Sequence, residues 1–282
     1  MKLTYFKAGR GNFGDDLNPY IFRRLFPSAL SDDNDGINFY GIGTLIDSRI
    51  DQNGKAVLMG TGIRDLSLTY DTHNWDIFFL RGPISTNALG FKGTKFITDA
   101  AYLLLFVEDE IRTASREKAY PVSVMPHYRL MDVVNWQLLA SLLGFHVIDP
   151  RMNVAEVIRE VCRTERLIAS AMHGAIIADI CRVPWRSMRV NLSPFEAPLV
   201  SAIKWKDWQL SMGLEDDPIR IDNFKFGCGT KTKALFPAEI TAKLRKAIAS
   251  PSGFRLSSDK VFARKLDLLS DEIDRFNEKY CR

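Results

Sequence analysis

Two histidines follow apolar segments that are typical of buried strands. His173 comes after Leu167–Ala171 and precedes a helix signal, and His127 ends the apolar segment 121–128. An imidazole at such a position can act as an acid, a base or a hydrogen-bond donor to phosphate near neutral pH. For either residue alone, a core histidine satisfied by a backbone carbonyl is the ordinary alternative. Because both follow strands of one predicted sheet, we expect the two imidazoles to face the same cleft.

A glycine-rich segment, GRGNFGDDLNP (9–19), joins the first predicted strand to the first predicted helix. In open α/β sheets, ligands bind where strand ends and helix N-termini meet. The carboxylate of Asp15 or Asp16 could take a proton from a sugar hydroxyl, and Asn12 could bind such hydroxyls. The alternative is structural, with both carboxylates capping the helix and interacting favourably with its dipole.

Arginines near glycine turns offer a place for an anion. Arg81 follows the apolar segment 76–80 and precedes a helix signal at Pro83, so its guanidinium would stand at the end of a strand. Such a group suits a carboxylate or a phosphate, and an ion pair with a nearby acid explains it equally well. Arg64, just after a glycine turn, is a second candidate.

The tract Lys204–Trp208 mixes cations with indoles. It could contact a sugar, a diphosphate or an anionic membrane surface, and half-buried tryptophans between solvated lysines are the alternative. If the tract meets a membrane, the attraction is weak and sensitive to salt, because each basic residue near an anionic surface contributes only about 1 kcal/mol.

Several common active-site chemistries have no support in the sequence. None of the patterns HxH, HExxH, CxxC and GxSxG occurs, and the four cysteines are scattered. We therefore predict reduced thiols, no catalytic metal and no acyl transfer through a nucleophile.

The composition is that of an ordinary globular protein, with 46% hydrophobic and 26% charged residues in a chain of 282. This excludes disordered, collagen-like and coiled-coil chains. The longest apolar run, Ala100–Val107, is far shorter than the ~20 residues that span a bilayer, and the N-terminus has no apolar signal core. We expect a cytoplasmic protein, and the net charge of +4 is too small to indicate nucleic acid.

Short apolar segments that stop at glycine or aspartate alternate with amphipathic stretches, which is typical of an α/β fold. The first predicted helix begins at Asn18-Pro19, a cap followed by a first-turn proline, and ends at Pro27. In the first half of the chain, the predicted strands are 2–8, 37–43, 56–63, 76–82 and 94–100.

The charged stretch 107–120 separates this half from a second series of the same kind. We therefore predict two α/β lobes, residues 1–115 and 116–282, each with a parallel sheet. The helical spacing of apolar residues from Ser258 to Arg282 predicts a long amphipathic helix that closes the structure. The second half has predicted strands at 121–128, 146–149, 166–171 and 186–192 and predicted helices at 136–144, 154–164 and 173–182.

Taken together, these residues resemble the polysaccharide pyruvyltransferase family, in the branch that places ketal pyruvate on bacterial exopolysaccharides such as xanthan and succinoglycan. Each matching piece is short, but their order and spacing along most of the chain are fairly specific. The pieces are GNFGDD (11–16), Arg81–Ser85 with Leu89, Thr98–Ala101, Met125–His127, and Ile168–Gly174 followed by Val183-Pro184.

The resemblance implies two Rossmann-like lobes around a cleft, similar to the fold of GT-B glycosyltransferases, with the acceptor on the side of the first lobe and the donor site in the second. It implies phosphoenolpyruvate as co-substrate, no cofactor, and a sugar of an exopolysaccharide repeat unit as acceptor. Because that sugar is still attached to its lipid carrier in this family, we expect a weak peripheral contact with the inner face of the cytoplasmic membrane.

The resemblance also implies roles for individual residues. His173 is expected to be catalytic, together with Asp15 and Asp16 as candidate bases. The expected donor contacts are Arg81, Ser85, His127, Ser170, Gly174 and Lys204, and the expected acceptor contacts are Asn12 and Asp99.

At one position the sequence lacks an arginine of the family pattern, so another residue has to supply that positive charge. Ala171-Met172 stands where much of the family has Arg-Leu. The same departure keeps a non-catalytic protein of polysaccharide assembly among the alternatives, and a GT-B glycosyltransferase that uses a nucleotide sugar would share the fold. The candidates for the missing cation are Arg81, Arg186, Arg189 and Lys204.

Overall fold

Two parallel β-sheets organise the part of the chain that the structure describes. The structure is a computed structural model, and it describes residues 1–30, 36–51, 53–93, 95–109, 111, 117–191, 193, 196–222 and 238–281. The first sheet has four strands, side by side in chain order: β1 (Lys2–Leu3), β2 (Ile37–Tyr40), β3 (Lys55–Met59) and β4 (Trp75–Phe79).

The strand order of the second sheet reverses at β5. Its five parallel strands stand in the spatial order β6-β5-β7-β8-β9, so the chain leaves β5 on one side and returns on the other. In open α/β sheets, ligands bind outside the carboxyl ends of the strands at such a point. His127 follows β5 and His173 follows β7. The strands are β5 (Ser123–Met125), β6 (His146–Val147), β7 (Leu167–Ala169), β8 (Trp185–Val190) and β9 (Ile219–Ile221).

Helices follow β1, β4 and the strands from β5 to β8, whereas the described residues between β2 and β3 and between β3 and β4 contain no helix. Two 3₁₀-helices lie at Ala100–Phe106 and Tyr128–Asp132. The α-helices are α1 (Phe13–Leu25), α2 (Pro83–Ala88), α3 (Trp136–Leu143), α4 (Val154–Cys162), α5 (Met172–Ile180), α6 (Pro198–Ser211), α7 (Ala238–Ala249) and α8 (Asp259–Tyr280).

The strand predicted at 94–100 is not formed. Phe96 makes an isolated parallel bridge with Leu80, and Asp99 then caps a 3₁₀-helix by accepting a hydrogen bond from the N–H of Ala101. This aspartate side chain competes with strand pairing for the backbone N–H. The other predicted strands are confirmed, and β9 has no clear signal in the sequence because only two of its three residues are apolar.

The first helix begins at Phe13, six residues earlier than its proline predicts, and Pro19 lies inside it. Proline has no N–H, so the carbonyl of Asp15 loses its helical partner. The side chain of Asn18 replaces that partner, since its Nδ2 atom donates to the Asp15 oxygen at 3.1 Å. The same amide is fully buried and bonds both backbone groups of Ile42, at 2.8 and 2.9 Å.

The C-terminal helix α8 is confirmed, and it connects the two halves of the chain. Near its first turn, Arg182 donates to the Asp259 carboxylate at 2.8 Å. At its other end, the ring of Phe276 packs on Phe26 and Phe78, with centroids 4.0 and 5.3 Å apart. The helix therefore packs on the first sheet although it belongs to the second half of the sequence, and the lobe boundary at residue 115 stays a prediction.

The indoles of the tract Lys204–Trp208 are in the core. Trp205 and Trp208 are 1% and 0% exposed and pack on Trp185, with ring centroids 6.3 and 5.1 Å apart. Buried indoles cannot enter a membrane interface, so the tract does not support the predicted membrane contact. None of the helices in the described ranges combines the length and the apolarity that crossing a bilayer requires.

Candidate active site

A cavity of about 230 Å³, here called the central cavity, is lined by residues from both halves of the chain. Asn12 and Asp15 follow β1, and Arg64 follows β3. His127 and His173 follow β5 and β7, at the reversal of strand order. The cavity therefore lies at the carboxyl ends of strands from both sheets, where α/β folds bind ligands. The two predicted histidines do share one cleft.

Asp15 lies in the first turn of α1 and faces the central cavity. The amide of Asn12 donates a hydrogen bond to its Oδ2 atom. Burial raises the pKa of Asp15 from 3.8 to about 6, although the nearby His173 and the Asn12 hydrogen bond oppose the shift. The carboxyl therefore changes its charge close to neutral pH, as a general base should.

His173 is the second residue of α5 and packs against Gly14 of α1. A Cβ atom at Gly14 would lie 2.1 Å from its Nδ1 atom, so a larger residue there would displace the imidazole. The Nε2 atom is buried, 3.6 Å from Oδ1 of Asp99. Neither Nε2 nor Oδ2 of Asp99 has a hydrogen-bond partner among the described residues. A small movement of the ring would convert this contact into a hydrogen bond.

Asp99 does not reach the central cavity. Its side chain is fully buried, and its Oδ1 atom accepts a hydrogen bond from the N–H of Ala101 at 3.0 Å. The carboxylate faces His173 from the protein interior. The structure therefore does not place Asp99 where an acceptor in the cavity would touch it, and its predicted contact with the acceptor has no support from the geometry.

His127 lines the central cavity as a neutral imidazole. Burial, together with the positive charge of Lys204, lowers the pKa of His127 to about 3. The backbone N–H of His127 donates to Oγ of Ser170 at 2.7 Å. Ser170 lies outside the cavity lining, so it does not contact the co-substrate directly in this structure. Its hydroxyl instead holds the backbone of His127 in place.

Lys204, on α6, places a positive charge in the central cavity. Its Nζ atom lies 2.6 Å from Oε2 of Glu196, and both side chains are mostly buried. Burial of Glu196 opposes ionisation, but the charge and hydrogen bond of Lys204 outweigh it and lower the pKa of Glu196. Among the four candidates for the missing cation, Lys204 is the one that lines this cavity, whereas Arg186 and Arg189 pair with Asp217 and Asp216.

Arg81 and Ser85 belong to a buried polar network, not to the central cavity. The carboxylate of Asp207 accepts hydrogen bonds from Nε of Arg81 at 3.2 Å and from Oγ of Ser85 at 2.5 Å. All three side chains are fully buried. The structure does not bring either side chain into the cavity lining, because Asp207 of α6 holds both in the interior, and their contact with the donor stays a prediction. Arg81 also donates to Oγ1 of Thr44 at 3.0 Å and so supports a loop that lines the cavity.

Two further predicted site residues have structural roles. Oδ2 of Asp16 accepts a hydrogen bond from the N–H of Asn12 at 3.0 Å, outside the cavity lining, so Asp16 closes the first turn of α1 as its alternative interpretation predicts. The N–H of Gly174 donates a hydrogen bond to the carbonyl of Ala171, so it is not available to bind the predicted co-substrate. A Cβ atom at Gly174 would lie 2.5 Å from Sδ of Met125, so the glycine permits close packing of α5 on β5.

The first half of the chain contributes cations that sequence reasoning ranked low or missed. Asp47 is nearly buried and bonds Arg49 through both of its carboxylate oxygens, while Nε of Arg64 stays 3.9 Å from Oδ2. One carboxylate thus faces two guanidinium groups, and both arginines line the central cavity. In the sequence, the glycine turn before Arg64 is the only signal. Within the described residues, no three His, Cys, Asp or Glu side chains are grouped to hold a metal ion.

Comparison with known proteins identifies the family of the chain. The polysaccharide pyruvyl transferase family matches residues 10–191 of the chain. The chain is 30% identical over 231 residues to the succinoglycan biosynthesis protein ExoV of Rhizobium meliloti (strain 1021), an alignment that covers 78% of this chain and 68% of that protein. No solved structure matches the chain. The central cavity and its histidines lie mainly within the matched region, and the chain belongs to the polysaccharide pyruvyltransferase family of enzymes.

Proposed function

We propose that this pyruvyltransferase takes pyruvate from phosphoenolpyruvate, attaches it to a sugar of a bacterial exopolysaccharide repeat unit as a cyclic ketal, and releases phosphate. The similarity to a succinoglycan biosynthesis protein supports the class of acceptor. The observation that carries the proposal is the Asp15 carboxyl, with its pKa of about 6, in one cavity with His173 and Lys204. The two parallel sheets with the cavity at their strand ends support a GT-B-like arrangement.

The proposed reaction requires an acid, a base and a site for anions. The methylene carbon of the donor gains a proton, C2 forms bonds to two sugar oxygens, and the bond from C2 to the phosphate oxygen breaks. The two hydroxyl protons balance the reaction, since one replaces the proton given to the methylene and the other leaves with phosphate. Each proton transfer benefits from a positioned side chain.

His173 is the proposed acid. Its Nδ1 side faces Gly14 at the edge of the cavity, while its buried Nε2 faces the Asp99 carboxylate. A carboxylate behind an imidazole orients the ring and stabilises its protonated form. This arrangement suits protonation of the donor methylene or of the departing phosphate.

Asp15 is the proposed base for the sugar hydroxyls, and Asn12 holds its carboxylate through a hydrogen bond. Because the Asp15 and His173 environments differ, one group can be ionised as a base while the other serves as an acid. Lys204 and Arg64 are the proposed partners of the donor carboxylate and phosphate. A lipid-linked acceptor at the membrane face remains part of the proposal, on the family resemblance alone.

The test is phosphate release from purified protein with phosphoenolpyruvate and a panel of exopolysaccharide oligosaccharides, free and lipid-linked. We expect release that depends on both substrates and disappears in His173→Asn. A parallel reaction with nucleotide sugars tests the glycosyltransferase alternative. Sugar transfer from a nucleotide donor, with phosphoenolpyruvate left intact, would refute the proposal.

A further inference from the structure

A second cavity, of about 540 Å³, lies on the opposite face of α6 from the central cavity. Val200 and Lys204 line the central cavity, whereas Ala202, Lys206 and Gln209 line the second one. Residues three or four apart share one face of a helix, so these two sets point in different directions. Helix α6 is therefore a partition between the two cavities.

The second cavity lies where an α/β sheet commonly binds a ligand. Val190 and Ile221, at the carboxyl ends of β8 and β9, line it together with Asn191 and Asp222, the residues that follow. Ligands of open α/β sheets bind outside the carboxyl ends of strands. This position continues the row of strand ends that begins at β5 and β7 in the central cavity.

The lining of the second cavity suits an uncharged ligand with many hydroxyl groups. Among the described residues of the lining, three cations face three anions, so this part of the lining has no excess of the positive charge that a nucleoside diphosphate needs. Carboxylates and an asparagine accept hydrogen bonds, while guanidinium, ammonium and amide groups donate them. The charged lining residues are Arg189, Lys206 and Arg220 on the positive side and Glu196, Asp216 and Asp222 on the negative side.

Two buried polar groups in this lining have unused hydrogen-bonding capacity among the described residues. Arg189 stacks its guanidinium 3.8 Å from the Trp205 ring and bonds Asp216, yet its Nη1 atom is buried without a hydrogen-bond partner. Oε1 of Glu196 is also buried without a hydrogen bond of normal geometry, although the hydroxyl of Ser201 lies close enough to help lower the pKa of Glu196. Unpaired buried polar atoms are costly, and a ligand that bonds them removes the cost.

Glu196 connects the second cavity to the catalytic chemistry. It lines both cavities, and its Oε2 atom bonds Lys204, one of the cations of the central cavity. The two cavities therefore approach each other at Glu196, just before the first turn of α6. This adjacency is what an acceptor with more than one sugar requires.

We propose that the second cavity is a saccharide subsite, which holds a neutral hexosyl unit of the acceptor next to the sugar that receives pyruvate. The inference rests on the proposed function for the identity of the acceptor. It places part of the acceptor in the second half of the chain, which the sequence assigned to the donor. The subsite selects acceptors by the hydroxyls that pair with Arg189 and Glu196.

The test blocks the cavity and measures sugar binding without phosphoenolpyruvate. Ala202 is exposed at the cavity rim, so Ala202→Trp fills the space from a surface position. Ala242→Trp is the matched control, because Ala242 is an exposed helical alanine on α7 outside the cavity lining. Saturation-transfer NMR would use methyl β-glucoside, methyl β-galactoside, cellobiose and lactose as probes, with UDP-glucose as the charged comparison.

We expect at least one disaccharide to bind the wild type and the control. Its affinity should fall about tenfold or more in Ala202→Trp, because the tryptophan side chain fills the cavity and removes several hydrogen bonds to the sugar. Binding of phosphoenolpyruvate by calorimetry should be equal in all three proteins. The proposal is overturned if no sugar probe gives a signal that Ala202→Trp removes, or if UDP-glucose is the only probe that gives such a signal. If the sugar binds and Ala202→Trp prevents this binding, but no phosphate is released from phosphoenolpyruvate, the proposed function is refuted and the subsite is retained.

Discussion

Gly14 is the residue that allows the proposed acid and base to share one cavity. It lies between Phe13 and Asp15 in the first turn of α1, and the imidazole of His173 occupies the space where a side chain would be. Asp15 is buried in the same close packing, and this burial raises the pKa of its carboxyl group to about 6. Reactivity at this site thus follows from packing around a glycine.

Replacement of Asp15 by asparagine tests the base directly. Asp15→Asn should reduce transfer by ~10²–10⁴-fold, the usual contribution of general base catalysis. In the wild type, the rate should rise as the pH increases through about 6, because the base acts in its deprotonated form. Initial rates of phosphate release from pH 5 to 8 measure both effects. A wild-type rate without an acidic limb would contradict this role.

The same variant should be more stable than the wild type at pH 8. Because the folded state raises the pKa of Asp15 from 3.8 to about 6, it holds the ionised carboxylate at a cost. That cost is complete above pH 6 and disappears below the ordinary value of 3.8. The gain in Tm should therefore be present at pH 8 and absent at pH 3.5, and equal gains at both values would argue against a raised pKa.

Asp99→Asn separates the charge of Asp99 from its capping role. Asparagine keeps the oxygen that accepts from the N–H of Ala101 but removes the negative charge that faces His173. Without the carboxylate behind it, the imidazole is less firmly oriented, so the rate should fall by about tenfold or more. An unchanged rate in a folded variant would make Asp99 a cap only.

At the scale of elements, helix α1 shows how one side chain can replace a missing backbone group. Asn18 bonds the carbonyl left free by Pro19 and both backbone groups of Ile42 at the end of β2. The amide thus joins the helix to the first sheet. It also allows α1 to extend back to Phe13, which places Asp15 at the cavity.

This arrangement predicts unequal effects of two neighbouring substitutions. Asn18→Leu should destabilise the protein by about 3 kcal/mol or more, because it leaves buried backbone groups unpaired. Pro19→Ala should change the free energy of unfolding by less than about 1 kcal/mol, because the Asp15 carbonyl is already bonded. Urea unfolding measures both. A larger loss for Pro19→Ala than for Asn18→Leu would contradict the proposed role of the amide.

The sequence predicts these elements better than their ends or their partners. Periodicity identifies β5, β7 and α5, and hence the strand-end positions of His127 and His173. It fails at Pro19, whose helix-start signal is overridden by the long-range bonds of Asn18. It also fails for Arg81, since an arginine at a strand end looks the same whether a substrate or the distant Asp207 neutralises it. Only the folded chain decides between the two.

At the scale of the whole molecule, distant segments hold the two halves together around the cavity. Asp207 of α6 binds Arg81 and Ser85 of the first half. At the other end of the chain, α8 packs the ring of Phe276 among aromatic rings of the first half. The central cavity lies between these halves, so its shape depends on both contacts. No local sequence pattern reports them.

Removal of the Phe276 ring should weaken this connection. Phe276→Ala should cost about 3–5 kcal/mol, because the ring is fully buried. Leu268→Ala on the same helix is the control, and it should cost less than about 1 kcal/mol because Leu268 is 36% exposed. Urea unfolding gives both values. Similar losses of unfolding free energy in the two variants would contradict a special contribution of the Phe276 ring.

Isotope incorporation during transfer in D₂O tests the central claim most directly. The proposed mechanism adds one exchangeable proton to the methylene of phosphoenolpyruvate, so each ketal methyl group formed should carry one deuterium, visible by NMR and mass spectrometry of the product. We expect this product with the wild type and not with His173→Asn. A glycosylated product from a nucleotide sugar, with phosphoenolpyruvate unconsumed and no ketal methyl signal, would contradict the account.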